Sequence, residues 1–565
     1  MRRSSMIALA ITFALSCGAL LAAPPANAGW PSVDQQIRKD HVRSGSALER
    51  VIRENQDFQM LRAEEASDTL PVPAWLRVYW RKAHPEGNYS ADDPTGGYPL
   101  VLKEIHEWML THQDLRAGDP DNLHLASILE GESEGKALAV TTESLTVGTD
   151  LRISEATTNP RSESAISINP LNVNKIIGSS NNIGGNGRQA MYYSSNGGLT
   201  WATSFLPLTN RDQFHSDPTI DWTSDGTAWS ATLGIRGFTL QARAFKSTDG
   251  GATWTVDATY SGSQKNVDKE MLWIDHSATS PFRDYIYSCW HNGNPQYVNR
   301  RTGIAGAWGT PIQISGTEST GTSIGCDVRT NANGDAFVFW PTTGNRRIIM
   351  AKSTNGGASW ATPKVVYTTF DSYDIGVPSF NSRRILIYTS GGAYRTATKN
   401  NVYVTFTDLS GATGCTTAAN EPGSNAASAC KTRIWFARST DGGTTWSAPV
   451  KINDQASNND QFNQWLAVDE ATGAIGVMYY DTVADATRKK SKVYFQLSVD
   501  DGVTWSPAAV ASSQFTDETI SGADSGNQYG DYNGLAGVAG TFFPSWTDRR
   551  NAAKEEVWSS PIITP

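Results

Sequence analysis

Residues 247–254 read Ser-Thr-Asp-Gly-Gly-Ala-Thr-Trp, and this octad decides the fold. It recurs as SSNGGLTW from Ser194 to Trp201, STNGGASW from Ser353 to Trp360, STDGGTTW from Ser439 to Trp446 and SVDDGVTW from Ser498 to Trp505. A degenerate copy at Arg301 to Trp308 keeps a glycine and the final tryptophan. The chemistry is that of a tight hairpin. The Asp or Asn side chain accepts hydrogen bonds from the turn's own backbone, the glycines supply positive φ, and the Thr or Ser restarts a strand. The tryptophan packs back across the hairpin. These aspartates are therefore read as turn formers rather than catalysts, and a unit repeated at this spacing marks an array or a propeller.

Alternating strands flank each octad: QAMYYS precedes the first, LQARAFK the second, RIWFARS the fourth and VYFQLS the fifth. The octad resembles the Asp-box (BNR repeat) of sialidase-like β-propellers, and the resemblance covers roughly residues 155–560. It implies an all-β propeller in which each box joins the third and fourth strands of a blade. Inner strands are then sought upstream, from Ser164, Asp217, Asp268, Thr322, Asp374, Phe462 and Tyr532. That is seven blades rather than the six of the common sialidase, with six kept as the alternative count. The seventh lacks a box, and Leu145 to Ile153 would supply its missing outer strand and close the ring.

The rest of the chain sets the context. Of 565 residues, 39% are hydrophobic, enough for a core, and only 18% are charged. The formal charge of −9 argues against nucleic acid or an anionic membrane as partner. Residues 1–28 read as a signal peptide: Arg2 and Arg3, an apolar stretch from Ile7 to Leu21, and Ala26-Asn27-Ala28 as cleavage site. The expected location is thus secreted or periplasmic, with no membrane span and a monomeric chain. Residues 29–144 are expected to form a helical N-terminal region, with Trp75, Leu76, Tyr79 and Trp80 on one helical face. The propeller occupies 145–565. Cys415 and Cys430 bracket a small-residue loop and are expected to pair, while Cys289 and Cys326 are a second pair or buried thiols.

Propeller geometry sorts the loops onto two faces. The loops leading into inner strands and those joining second to third strands surround the channel mouth, where propeller enzymes place their sites. Here that face collects Glu163, His215, Asp217, Asp268, Lys269, Glu270, Asp374, Asp460, Asp531 and Tyr532. The second set of loops adds Arg236, His291, Arg346, Arg347, Asp481, Arg488, Asp548, Arg549 and Arg550. The catalytic candidates are Asp217, Asp268, Tyr532, His215, His291 and Asp531. The substrate-binding candidates are Arg236, Arg346, Arg549, Lys269 and Asp374. Carboxylates beside cations suit acid–base work, and arginines suit a carboxylate-bearing sugar. No cofactor is expected, although a ring of acids admits a structural calcium ion.

The resemblance implies a glycoside hydrolase with an arginine triad, a tyrosine nucleophile paired to a glutamate, and an aspartate acid. The family's Arg-Ile-Pro motif is matched only by Arg152-Ile153-Ser154. The leading expectation is a secreted sialidase-like hydrolase of an acidic or complex glycan. The alternatives are a non-catalytic glycan- or protein-binding propeller, and a polysaccharide lyase of uronic-acid glycans using His215, His291 and Tyr532.

Overall fold

The computed structural model describes residues 145–564, except 157, 210, 320–322 and 551–553, together with 52–57, 60–61, 78–79 and 81–82 with two gaps at 58 and 59. The signal peptide, nearly all of the helical N-terminal region and the domain boundary at 144 lie outside the described residues. No helix among the described residues is long and apolar enough to cross a membrane.

The chain folds as a seven-bladed β-propeller of antiparallel sheets. The inner strands of blades 1 to 4 are Ala165–Ile168, Phe214–Trp222, Val267–Ile274 and Asp327–Thr330. Those of blades 5 to 7 are Thr389–Arg395, Gln461–Val468 and Gly534–Val538. Strands buried on both sides fill the space between blades, and the second strand of blade 4, Ala336–Pro341 (AFVFWP), is apolar throughout. Five tryptophans, Trp222, Trp229, Trp290, Trp340 and Trp546, lie fully inside.

Each octad joins the third strand of a blade to its outer strand, as Ser247–Trp254 does between Thr239–Ser247 and Thr255–Thr259. In all five copies the same bonds appear. The leading serine accepts from the second-glycine position at 2.8–2.9 Å. The Asp or Asn accepts from the backbone of the residue before the tryptophan at 2.8–3.0 Å. The degenerate copy occupies the corresponding place in blade 3, where Trp308 stacks on Tyr260 at 4.2 Å and donates to Asp257.

Blade 7 closes the ring as expected. Its outer strand, Leu151–Arg152, comes from upstream of blade 1 and pairs with Glu556–Ser559. Thr146–Val147 pairs with Ile562–Ile563 beside it. Arg152 meets Glu556 at 2.9 Å, and buried Arg550 joins Asp150 at 2.7 Å to Asp548 at 2.6 Å. Both disulfides form, Cys415–Cys430 and Cys289–Cys326, the second linking the second strand of blade 3 to the start of blade 4.

Blade 5 corrects the sequence reading. The stretch from Asp374 is not its inner strand. Asp374–Ile375 pairs with Ile385–Leu386 as a separate two-stranded hairpin, and the inner strand follows at Thr389–Arg395 (TSGGAYR). Alternation identifies a strand without saying which sheet it joins. The two glycines of the true strand weaken its signal but are needed for packing. A Cβ on Gly391 would sit 2.3 Å from the Phe339 ring, and one on Gly392 2.6 Å from Val468.

Candidate active site

The mouth is built by a recurring kink in the inner strands. Glu163, Asp217, Lys269 and Asn463 all adopt positive φ, between 48° and 57°, just before their strands enter the channel. The ladder slips at this point in blades 2, 3 and 6. Bulges of this kind re-aim side chains, and left-handed backbone at a non-glycine residue is strain that surrounding contacts must hold. The contacts are present: the Asp217 N–H donates to Asn181 at 2.8 Å, and Asn463 donates to Gly530 at 3.0 Å.

The kinks gather Glu163, Asp217, Asp268, Glu270 and Asp531. Asn181 donates to Glu163 at 2.6 Å, and Glu163 also shares a hydrogen bond with Asp217. Ser216 donates to Asp217 at 2.6 Å. Burial and the charges of Asp217 and Asp531 keep Glu163 well above the usual carboxyl range. Glu270 is fully buried, neither of its oxygens has a partner, and burial with the charge of Asp217 raises it strongly.

Asp268 differs in being open to solvent. Desolvation by the mouth and the charges of Asp217 and Asp531 push it up to about 7. Since 55% of its side chain is exposed, solvent screens part of the burial effect and the like charges are the firmer cause. His291 Nε2 lies 3.7 Å from Asp268. The N–H of Gly325 donates to His291 Nδ1 at 3.2 Å, so the neutral ring carries its proton on Nε2, facing the carboxyl. Burial and the Lys269 charge lower this imidazole to about 4.

Lys269 crosses beneath these acids. Its ammonium stands 3.4 Å from the Tyr532 ring centroid, 5.1 Å from Tyr388 and 5.6 Å from Trp465. Burial lowers its pKa while the surrounding carboxylates oppose that. Tyr532 is buried, its hydroxyl has no partner, and desolvation with the charges of Asp217 and Glu163 raises it far above its ordinary value.

The 374–386 hairpin roofs the mouth. Arg383, just before its second strand, binds Asp531 and donates to the Gly526 carbonyl at 2.7 Å. Asn381 and Ser382 donate to Thr519 and Ser525, and Phe380 packs on Phe462 and Tyr529 at 5.3 and 4.9 Å. Tyr373 and Tyr388, at its base, lie edge to face at 6.0 Å.

Of the residues expected at the site, the structure brings together Asp217, Asp268, Lys269, Asp531, Tyr532 and, against Asp268, His291. His215 faces the seam of blades 1 and 2, where Gln189 donates to its Nδ1 at 3.4 Å and burial lowers it to about 4. Arg236 is exposed at the end of its strand. Arg346 donates to the Phe370 carbonyl, and Asp374 pairs with Arg384 at 3.2 Å. Arg549 is buried among the carbonyls of Asp517, Ile520 and Ser521. Asp460 and Arg488 form a fully buried pair at 2.5 Å, and Asp481 takes donors from Asn459 and Gln461. Arg346 and Arg549 thus pin loops, Arg236 lies exposed, and the expected arginines do not converge. Arg383, Tyr373, Tyr388 and Trp465 went unnoticed in the sequence, since three of them belong to the misassigned hairpin segment. Among the described residues no group of three or more His, Cys, Asp or Glu side chains is placed to hold a metal ion.

Below Tyr532, Trp465 and Met271 a channel cavity of about 730 Å³ leads to the opposite face. There His276 is clasped between Asp221 at 3.0 Å and Glu470 at 3.9 Å. Burial works against the charge, but these two carboxylates raise the imidazole to about 9.

No family model matches the chain, and no curated protein is similar to it in sequence. Solved structures similar to it include a protein of unknown function from Dyadobacter fermentans, at 12% identity and a TM-score of 0.39, covering 74% of this chain and 99% of that one. An α-L-arabinofuranosidase from Fusarium graminearum is 11% identical with a TM-score of 0.37, over 63% of this chain and 95% of the other. The NanB sialidase of Streptococcus pneumoniae is 10% identical with a TM-score of 0.39, over 63% and 69%. Likenesses this distant carry nothing about chemistry.

Proposed function

We propose that the protein is a glycoside hydrolase whose general acid is Asp268. The observation that carries this is a solvent-reachable carboxyl pushed up to about 7 by its neighbours, beside Asp217 and Asp531 at the channel mouth. A general acid works best when its pKa lies near the working pH. Asp268 would protonate the leaving glycosidic oxygen, and Asp217, one blade away, is the second carboxyl of the pair that such reactions use. Ser216 and Asn181 fix Asp217 through its side chain and backbone. Tyr532 is not the nucleophile in this scheme, because burial keeps its hydroxyl protonated and no base reaches it.

The test is release of reducing ends from a panel of neutral, acidic and amine-bearing oligosaccharides. Asp268→Asn is expected to lower kcat/KM by roughly 10²–10⁴-fold. Activity of the parent protein should fall as pH rises through about 7, where Asp268 loses its proton. Failure to cleave any glycan, or full activity in Asp268→Asn, overturns the proposal.

A further inference from the structure

Resting on the glycan reading above, we infer that the sugar bound in the mouth carries a protonated amine, so that the substrate class is an amino-sugar glycan rather than an acidic one. The first ground is a mismatch of charged groups. Five carboxyls, Glu163, Asp217, Asp268, Glu270 and Asp531, crowd the mouth, and the cations acting on them are Lys269 and Arg383. Neither cation is available to a ligand carboxylate. Arg383 is engaged by Asp531 and the Gly526 carbonyl, and Lys269 is enclosed by three aromatic rings. An acidic sugar would bring one more negative group among five carboxyls whose two neighbouring cations are already engaged, whereas an ammonium brings a positive one.

The second ground is hydrogen-bonding capacity. The buried Tyr532 hydroxyl has no partner, although the charges of Asp217, Glu163, Glu270 and Asp531 act on it. Buried polar groups left unpaired inside a site call for a ligand that pairs them. Around it the surplus is of oxygen acceptors, and an ammonium brings donors only. The third ground is that the same surroundings already hold one ammonium, that of Lys269, against Tyr532, Tyr388 and Trp465. Binding a cation among carboxyls that retain protons would also drive those protons off, because linkage is reciprocal.

The test is calorimetric binding to the full chain at pH 7, independent of catalysis. The probes are a tetramer of β-1,4-linked glucosamine, its fully N-acetylated counterpart, and a tetramer of a uronic acid. The amine-bearing tetramer is expected to bind at least about tenfold more tightly than the N-acetylated one in low salt. That preference should shrink to roughly twofold in 0.5 M salt, where the Debye length is a few ångströms. The uronate should bind most weakly. Asp217→Asn and Asp268→Asn should each erode the preference while N-acetylated binding, measured in parallel, reports that the variants are folded. Equal affinity for the amine and its N-acetyl form, or tightest binding of the uronate, overturns the inference. Cleavage of neutral glycans without any amine preference would remove the inference and leave the hydrolase standing. Amine-selective binding with no cleavage of any probe would do the reverse, and no binding at all would end both.

Discussion

At the scale of single residues, Lys269 is the most informative side chain in the molecule. It stands in the left-handed region with φ of 52° and is buried at 2% exposure. Its charge lowers the pKa of Asp268. Lys269→Met keeps the length and the aromatic contacts of the stem while removing the charge. Its expected effect is to move the alkaline limb of the activity profile upward by about one pH unit, since a carboxyl that loses a nearby cation holds its proton longer. A profile that stays in place would show that Lys269 and Asp268 are uncoupled. This residue also marks the limit of what sequence can convey. Asp217, Asp268 and Lys269 were legible as polar residues where strands enter the channel. Arg549 and Arg488 looked identical in kind, yet their guanidinium groups satisfy backbone carbonyls and a buried aspartate. A charge pattern does not reveal whether its partner lies inside the protein or outside it.

At the scale of elements, the octads were read correctly because every bond within them is local. Desolvation raises the Asp441 carboxyl, but the hydrogen bonds from Thr445 and Ser439 together outweigh it and depress the group. Thr253 and Thr504 do the same for Asp249 and Asp500. A depressed folded-state pKa gives stability that is present above the unfolded value of 3.8 and lost as pH falls through the folded one. Asp441→Ala is expected to cost about 1 kcal/mol at pH 7, near the net worth of one such bond, with the difference from the parent shrinking in strong acid. Denaturant unfolding at the two pH values measures it. The hairpin at 374–386 is the opposite case, since its anchors, Phe462, Thr519 and Tyr529, lie far along the chain. Phe380→Ala removes its apolar anchor. It should raise KM at least several-fold and lower stability by roughly 3 kcal/mol, in the range for emptying a buried phenylalanine site. A KM unchanged by this substitution would mean that the roof takes no part in binding.

At the scale of the whole molecule, the blade number was legible because five octads and one degenerate copy mark six blades, and the strands that follow blade 6 make the seventh. Blade 5 kept its place in that count although its inner strand was misassigned, since its octad lies at the far end of the sheet. Ring closure was foreseen from the missing outer strand of blade 7. The measurable consequence concerns residues 145–153. A chain beginning at residue 145 is expected to melt in one cooperative transition. A chain beginning at 154 loses the Leu151–Arg152 pairing, the Arg152–Glu556 ion pair and the Asp150–Arg550 bond, and should melt several degrees lower with a broadened transition. Identical melts for the two chains would show that the clasp contributes nothing to stability.

The clasp also sets an order of events during synthesis. Leu151 pairs with Ser559 and Thr146 with Ile563, so strands made before blade 1 wait for strands made after blade 6. Blades 1 to 6 each close from consecutive strands and can form as they emerge. Until the strands of blade 7 are released, the ring is an open arc whose first and last sheets each present an uncovered flank. Contacts this distant in sequence are slow to form. The nascent chain is therefore most exposed to mispairing with its neighbours in the interval before blade 7 has emerged.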